Sequence, residues 1–153
     1  MCWAALLIAL TACAAYISAR ICASATINGA ISKAVHGAAV APEPPSAAPD
    51  TSCAAIATAA DGGNLGDHLG AVDAGTIGWD TSITDYYGPG DYRAAEFHLT
   101  VDSATYATSD GSDVDIDVGP DFATTITFSG LQSTGDEPSS VSGSISSTCI
   151  DPV

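Results

Sequence analysis

The chain has 153 residues, which is enough for one domain of ordinary size and a tail. Its formal net charge is −15, and all 18 acidic residues lie after residue 40, where Arg93 is the only base. Such an acidic domain repels phosphate groups. The composition therefore excludes nucleic acid as a partner and argues against direct binding to anionic lipid headgroups.

The N-terminal region is apolar. No charged residue occurs from Cys2 to Ala19, and this length fits a secretory signal better than a membrane-spanning helix. The first bases, Arg20 and Lys33, follow the apolar run, although a signal peptide begins with positive charge. We therefore expect the natural start to lie upstream of Met1, and we interpret residues 1–40 as a targeting segment and leader.

Within this run, Leu10-Thr11-Ala12-Cys13 resembles the lipobox of bacterial lipoproteins, in which the cysteine becomes the lipidated N-terminus. The resemblance implies lipidation at Cys13 and attachment to a membrane. Two alternatives stay open: cleavage after Ala23-Ser24-Ala25, and an uncleaved anchor. All three place the protein outside the cytoplasm, either anchored in the cell membrane or envelope or secreted.

A proline-rich stretch marks the predicted domain boundary. Residues 41–50 read APEPPSAAPD, with four prolines in ten positions. This composition is typical of a semi-rigid, polyproline-like spacer. We therefore divide the chain into the leader, a Pro/Ala-rich tether over residues 41–52 and an acidic β domain over residues 53–153.

Downstream of the tether, apolar residues recur every second position, which is typical of half-buried strands. We expect residues 54–60 to add a further strand, in preference to a short helix. The sequence thus predicts an all-β fold, an antiparallel β-sandwich or small barrel of about six strands. The five clearest strands are Thr76–Tyr86, Tyr92–Val101, Asp113–Val118, Phe122–Gly130 and Ser140–Cys149.

The five cysteines are distributed between the predicted leader and the predicted β domain. Three of them, Cys2, Cys13 and Cys22, fall in the predicted targeting region, which leaves Cys53 and Cys149 at the two ends of the β domain. In an oxidising compartment such a pair predicts a disulfide, here joining the first strand to the last. Two unpaired buried thiols are the alternative.

With its lipobox, its tether and its terminal cysteines, the chain resembles small actinobacterial cell-envelope lipoproteins. Its layout is similar to the mycobacterial 19-kDa lipoprotein antigen family. Residues 83–92 and 141–149 look like segments that recur in such secreted proteins. The resemblance implies an envelope location without known catalysis, and lipidation of Cys13 is the one residue role that it implies.

An acidic ladder is the best candidate for a metal site. It comprises Asp110, Asp113, Asp115 and Asp117, whose last three members match the opening D-x-D-x-D of an EF-hand loop. Val118 stands where that loop needs glycine, and Thr124 where it needs glutamate. We therefore interpret the ladder as a solvated face that discourages strand aggregation, with weak calcium binding at Asp110-Gly111 as the alternative.

No other pattern points to catalysis. The chain has neither a G-x-S-x-G nor an H-x-x-x-H motif, and nothing in it calls for a cofactor. Tyr86, Tyr87 and Tyr92 flank a turn, where we expect them to pack over the end of the fold, a sugar-binding platform being the alternative. We interpret the protein as a non-enzymatic structural or interaction module whose protein or glycan partner is unknown. Its alternative is a surface protein that binds calcium or glycans.

Overall fold

In the computed structural model, the described residues are almost entirely β. They comprise 20–39, 52–58, 70–72, 76–81, 83, 85–94 and 96–151. Ten strands and one short helix lie in these ranges: β1 (Arg20–Gly29), β2 (Lys33–Ala39), α1 (Cys53–Thr58), β3 (Gly70–Val72), β4 (Ile77–Thr81), β5 (Gly90–Arg93), β6 (Phe97–Val101), β7 (Ala104–Ala107), β8 (Asp113–Val118), β9 (Thr124–Ser133) and β10 (Ser140–Ile150).

All strand pairs are antiparallel, and together they form one sheet curled into a half-barrel. The main path runs β2-β1-β10-β9-β7-β6-β4-β3, while β8 pairs with the first part of β9 and carries β5 on its other side. The end strands β2 and β3 lie against each other. The all-β, antiparallel prediction is confirmed, with ten strands in place of about six.

The interpretation of residues 1–40 as targeting segment and leader is corrected for residues 20–39, which form β1 and β2. Strand β1 lies between β2 and β10 and pairs with β10 along its whole length. Ala23 and Ala25 are buried in it, so a cleavage site at Ala23-Ser24-Ala25 would fall inside a central strand. The apolar run, Cys13 and the tether at 41–50 lie outside the described residues.

The core occupies the concave side of the curled sheet. Strand β8 shows the pattern most clearly, because Val114, Ile116 and Val118 are buried while the aspartates between them are exposed. Facing strands complete the core, and the rings of Phe97 in β6 and Phe128 in β9 stack with centroids 5.5 Å apart. In β6, β8 and β10, the alternating apolar residues from which the strands were predicted are buried.

Two glycines allow β10 to pack closely against its neighbours. A Cβ atom on Gly143 would overlap the carbonyl oxygen of Thr26 in β1. Gly130, at a φ of 67°, lies in a bulge where two residues of β9 oppose one of β10. The bulge shifts the side-chain alternation, so that Phe128 and Leu131 are both buried.

The predicted strand Tyr92–Val101 is in fact two strands. Its first part pairs with β8 as β5, and its second part pairs with β4 and β7 as β6. The strand predicted from Thr76 shortens to β4 and a bridge at Ile83. Phe122 lies in the turn before β9, where its amide donates to the Gly119 carbonyl over 3.0 Å, and not in the strand itself.

The expected strand over residues 54–60 is also wrong, because its first part is the helix α1. Alanine has the highest helix propensity, and the Ser52 hydroxyl accepts a hydrogen bond from the Ala55 amide over 3.2 Å, as an N-cap does. The Asp151 carboxylate accepts a second one from the Cys53 amide over 2.6 Å. In the described part of the chain, no helix has the length and apolarity to cross a membrane.

Candidate functional site

The outward side chains of β5 and β8 form a charged surface, which we call the acidic face: Asp91, Arg93, Asp113, Asp115 and Asp117. The register of the two strands sets Asp91 opposite Asp117 and Arg93 opposite Asp115. Since alternate residues of a strand share a face, all five side chains lie on the convex side of the sheet. The face therefore carries four carboxylates and one guanidinium.

Arg93 neutralises one end of the acidic face. Its Nη1 lies 3.5 Å from the Asp113 carboxylate, and its Nε lies 3.2 Å from that of Asp115. All three side chains are largely exposed, so these ion pairs stabilise the fold only weakly. At the other end Asp91 and Asp117 oppose each other, and neither carboxylate has an ion-pair partner among the described residues.

A shallow groove of about 460 Å³ opens on the acidic face. Thr125 and Thr127 of β9 border it, because they lie opposite Asp117 and Asp115 in the register of β8 and β9. The groove thus presents carboxylates, hydroxyls and one guanidinium to solvent. Such groups can form hydrogen bonds and ion pairs with a ligand that lies along the strands.

The predicted ladder is only partly brought together. Asp113, Asp115 and Asp117 follow one another along β8, whereas Asp110 lies in the turn before this strand. Within the described ranges, no three histidine, cysteine, aspartate or glutamate side chains are arranged to hold a metal ion. The ladder is instead a strand face paired with Arg93, whose position the sequence interpretation did not include.

The turn between Ile83 and β5 is built by two tyrosines. The Tyr92 hydroxyl donates to the Gly88 carbonyl and accepts a hydrogen bond from the Tyr87 amide over 3.2 Å. The ring of Tyr86 packs on that of Tyr92 with centroids 5.0 Å apart. Tyr86 is fully buried and Tyr87 is 85% exposed, so the three rings do not form a shared platform. Packing is confirmed for Tyr86 and Tyr92, and the Tyr87 side chain points to solvent.

Tyr86 also ties α1 to the sheet, because its hydroxyl donates a hydrogen bond to the Ala57 carbonyl. Burial, and to a smaller extent the neighbouring Tyr92, raise the pKa of Tyr86 to about 12. Both effects disfavour the phenolate. The protein must therefore keep Tyr86 protonated to retain this contact.

The raised pKa predicts a loss of stability in alkaline solution. Tyrosine in the unfolded chain ionises near pH 10, so stabilisation by Tyr86 is complete below pH 10 and falls as the pH rises to about 12. We expect the loss to total about 2–3 kcal/mol. We expect urea unfolding to show that the Tyr86→Phe variant is about 1 kcal/mol less stable than the wild-type protein at neutral pH. Most of the alkaline loss of stability should be absent in this variant, because phenylalanine does not ionise. Tyr87→Phe is the matched control, and an unchanged alkaline loss in Tyr86→Phe would contradict the assignment.

Cys53 and Cys149 form the predicted disulfide, with Cα atoms 5.8 Å apart and a sequence separation of 96. Both cysteines are buried. The bond joins α1, and not a first strand, to the end of β10. Cys22, in β1, is also disulfide-bonded.

Comparisons with other proteins add nothing to this geometry. No family model, no curated protein and no solved structure matches the chain.

Proposed function

We propose that this chain is an exported protein of the cell envelope, held near the membrane through its N-terminal segment, and that it acts as a non-enzymatic interaction module. In this proposal Cys13 carries the lipid, and the half-barrel closes into a small barrel that displays the acidic face. The contact between β2 and β3 supports that closure.

One observation carries the extracytoplasmic location, namely the disulfide between Cys53 and Cys149. Structural disulfides persist in oxidising compartments and are rare in the cytosol, where thiols are kept reduced. This bond is buried and closes a long loop, as expected of a structural disulfide. It therefore supports export independently of the N-terminal apolar run.

The interaction role draws on the groove over β5, β8 and β9. Its polar groups come from strands and are positioned by backbone pairing, so a ligand need not order them. The acidic face repels anions, which leaves cationic or neutral ligands as partners. A binding role is thus better supported than a purely structural one.

Cell fractionation and mass spectrometry of the native protein test this proposal. We expect the protein in the envelope fraction, partitioning into detergent, and we expect Cys13→Ala to remove the lipid mass. A lipidated sulfur cannot form a disulfide. A peptide that joins Cys13 to Cys22 would therefore contradict lipidation, and a reduced, full-length protein in the cytosol would contradict export as well.

A further inference from the structure

We propose that the open edge of β5, together with the acidic face beside it, binds an extended polypeptide segment containing lysine or arginine, which adds to the sheet as a further strand. This inference rests on the proposed function as an interaction module. It specifies the surface that is used and the chemistry of the partner.

Strand β5 lies at an edge of the sheet. Strand β5 pairs with β8 on one side, and no backbone group in the described part of the chain pairs with its other side. The other end strands, β2 and β3, lie against each other. An unpaired row of N–H and C=O groups is a template for another chain, and extended peptides are recognised in this way.

The edge is also held in a fixed conformation. Tyr92 lies in β5, and its hydroxyl bonds to two neighbouring backbone groups of the preceding turn, the Tyr87 amide and the Gly88 carbonyl. Immediately after the strand, the Ala94 amide donates to the Val114 carbonyl over 3.1 Å. Because both ends of this short strand are anchored, an incoming strand would meet an edge that needs little further ordering.

The charges beside this edge favour a basic partner. Carboxylates directly opposite each other on neighbouring strands repel, and the fold places Asp91 and Asp117 in this arrangement with no cation between them among the described residues. A strand added to β5 would set one side chain within about 5 Å of Asp91, measured between Cβ atoms. A lysine or arginine at that position can extend over the groove toward Asp117. The two carboxylates would then form ion pairs with this base, which would offset their mutual repulsion.

Charge also decides between possible occupants. A second copy would bring its own net charge of −15 to an edge that is already negative. A neutral glycan would form hydrogen bonds with the groove but would leave the opposition of Asp91 and Asp117 unrelieved. A basic extended segment satisfies both the open backbone edge and the excess carboxylates, and it is therefore the occupant that we propose.

The test uses the full-length protein and synthetic eight-residue peptides of alternating lysine and threonine, with calorimetric titration at physiological salt. We expect saturable binding that an otherwise identical glutamate–threonine peptide lacks. Asp91→Asn should weaken it by about threefold to fivefold, as expected for an exposed ion pair. The matched control is Asp136→Asn, which makes the same charge change at an exposed position between β9 and β10 and should leave the affinity unchanged.

Backbone pairing is tested without altering the protein. N-methylation of alternate peptide amides keeps the peptide charge but removes strand pairing, and we expect it to weaken binding at least about tenfold. Hydrogen exchange should slow at β5 when the unmodified peptide binds. Equal weakening by Asp91→Asn and Asp136→Asn, or no effect of N-methylation, would show general charge attraction and overturn the inference.

Two further outcomes would indicate a different partner. Saturable binding of a neutral oligosaccharide at the groove without peptide binding, or self-association through β5, would overturn the peptide proposal and leave the interaction module in place. Failure of the proposed function is recognised separately, by finding the protein reduced in the cytosol. The two failures are therefore distinguishable.

Discussion

An Ala25→Asp variant is expected to lose about 3–5 kcal/mol of folding stability, a substantial fraction of the roughly 5–15 kcal/mol of a typical domain. Ala25 lies opposite Val35 in β2 and Ile145 in β10, and its side chain is buried in the core. A carboxylate at this position would have no cation beside it. The measurement is urea unfolding followed by circular dichroism.

The adjacent substitution Ser24→Asp is the matched control. Ser24 is exposed on the opposite face of β1, so the same carboxylate would remain hydrated and change the stability by less than about 0.5 kcal/mol. The pair of variants distinguishes a strand from a leader, because a leader has no inward face. Equal effects at both positions would contradict the placement of β1 in the sheet.

Removing the disulfide with Cys53→Ala and Cys149→Ala together is expected to lower the free energy of unfolding by about 4 kcal/mol. The bond closes a loop with a sequence separation of 96, and without it the unfolded chain gains the entropy that this closure removes. Helix α1 would then be held mainly by the Tyr86 and Asp151 contacts. Differential scanning calorimetry of the oxidised protein and the double variant measures the effect.

The Asp151→Asn variant distinguishes the contribution of the disulfide to stability from that of the hydrogen bond at the start of α1. This variant keeps the covalent bond but weakens the hydrogen bond to the Cys53 amide, so we expect a loss of only about 1 kcal/mol. Treatment of the wild-type protein with a dithiol reductant should destabilise it at least as much as the double variant, because the reductant also breaks the disulfide of Cys22. A melting temperature that reduction leaves unchanged would contradict a stabilising role for the bond.

The parts of the fold that could be predicted are those that are determined by residues close together in sequence or by simple cysteine placement. In β8 every second residue is Val or Ile and the others are Asp, so one face is buried wherever the strand lies. The pairing of Cys53 with Cys149 followed from their places in the chain and from the expected compartment. These inferences needed no knowledge of strand order.

Strand β1 does alternate, because Ala23, Ala25 and Ile27 are buried and the Ser and Thr residues between them are exposed. It was not predicted because it directly follows the apolar run, whose composition led to the interpretation of the whole region as a leader. Its stability comes from β10, whose Ser144 lies opposite Thr26 and whose Ile145 lies opposite Ala25. This context lies more than a hundred residues away in sequence.

Only the β8 part of the candidate site was predicted from the sequence. The aspartates of β8 stand out in the sequence, but their neighbours depend on the pairing of β5 with β8, which places Arg93 beside Asp115 and Asp91 beside Asp117. Residues Tyr92–Val101 were predicted as one strand, so the break between β5 and β6 was missed. That break follows from tertiary pairing, and local propensity does not contain it.

The pairing of β1 with β10 has a consequence for the order of events in synthesis. Strand β1 can pair with β2 early but cannot pair with β10 until residues 141–150 have been made, and β10 in turn connects β1 to β9. Contacts between such distant parts of a chain close large loops and slow folding. A nascent chain of this protein therefore lacks the pairing that joins β1 to β9 until β10 is made, and the native half-barrel forms only after residue 150 has been synthesised.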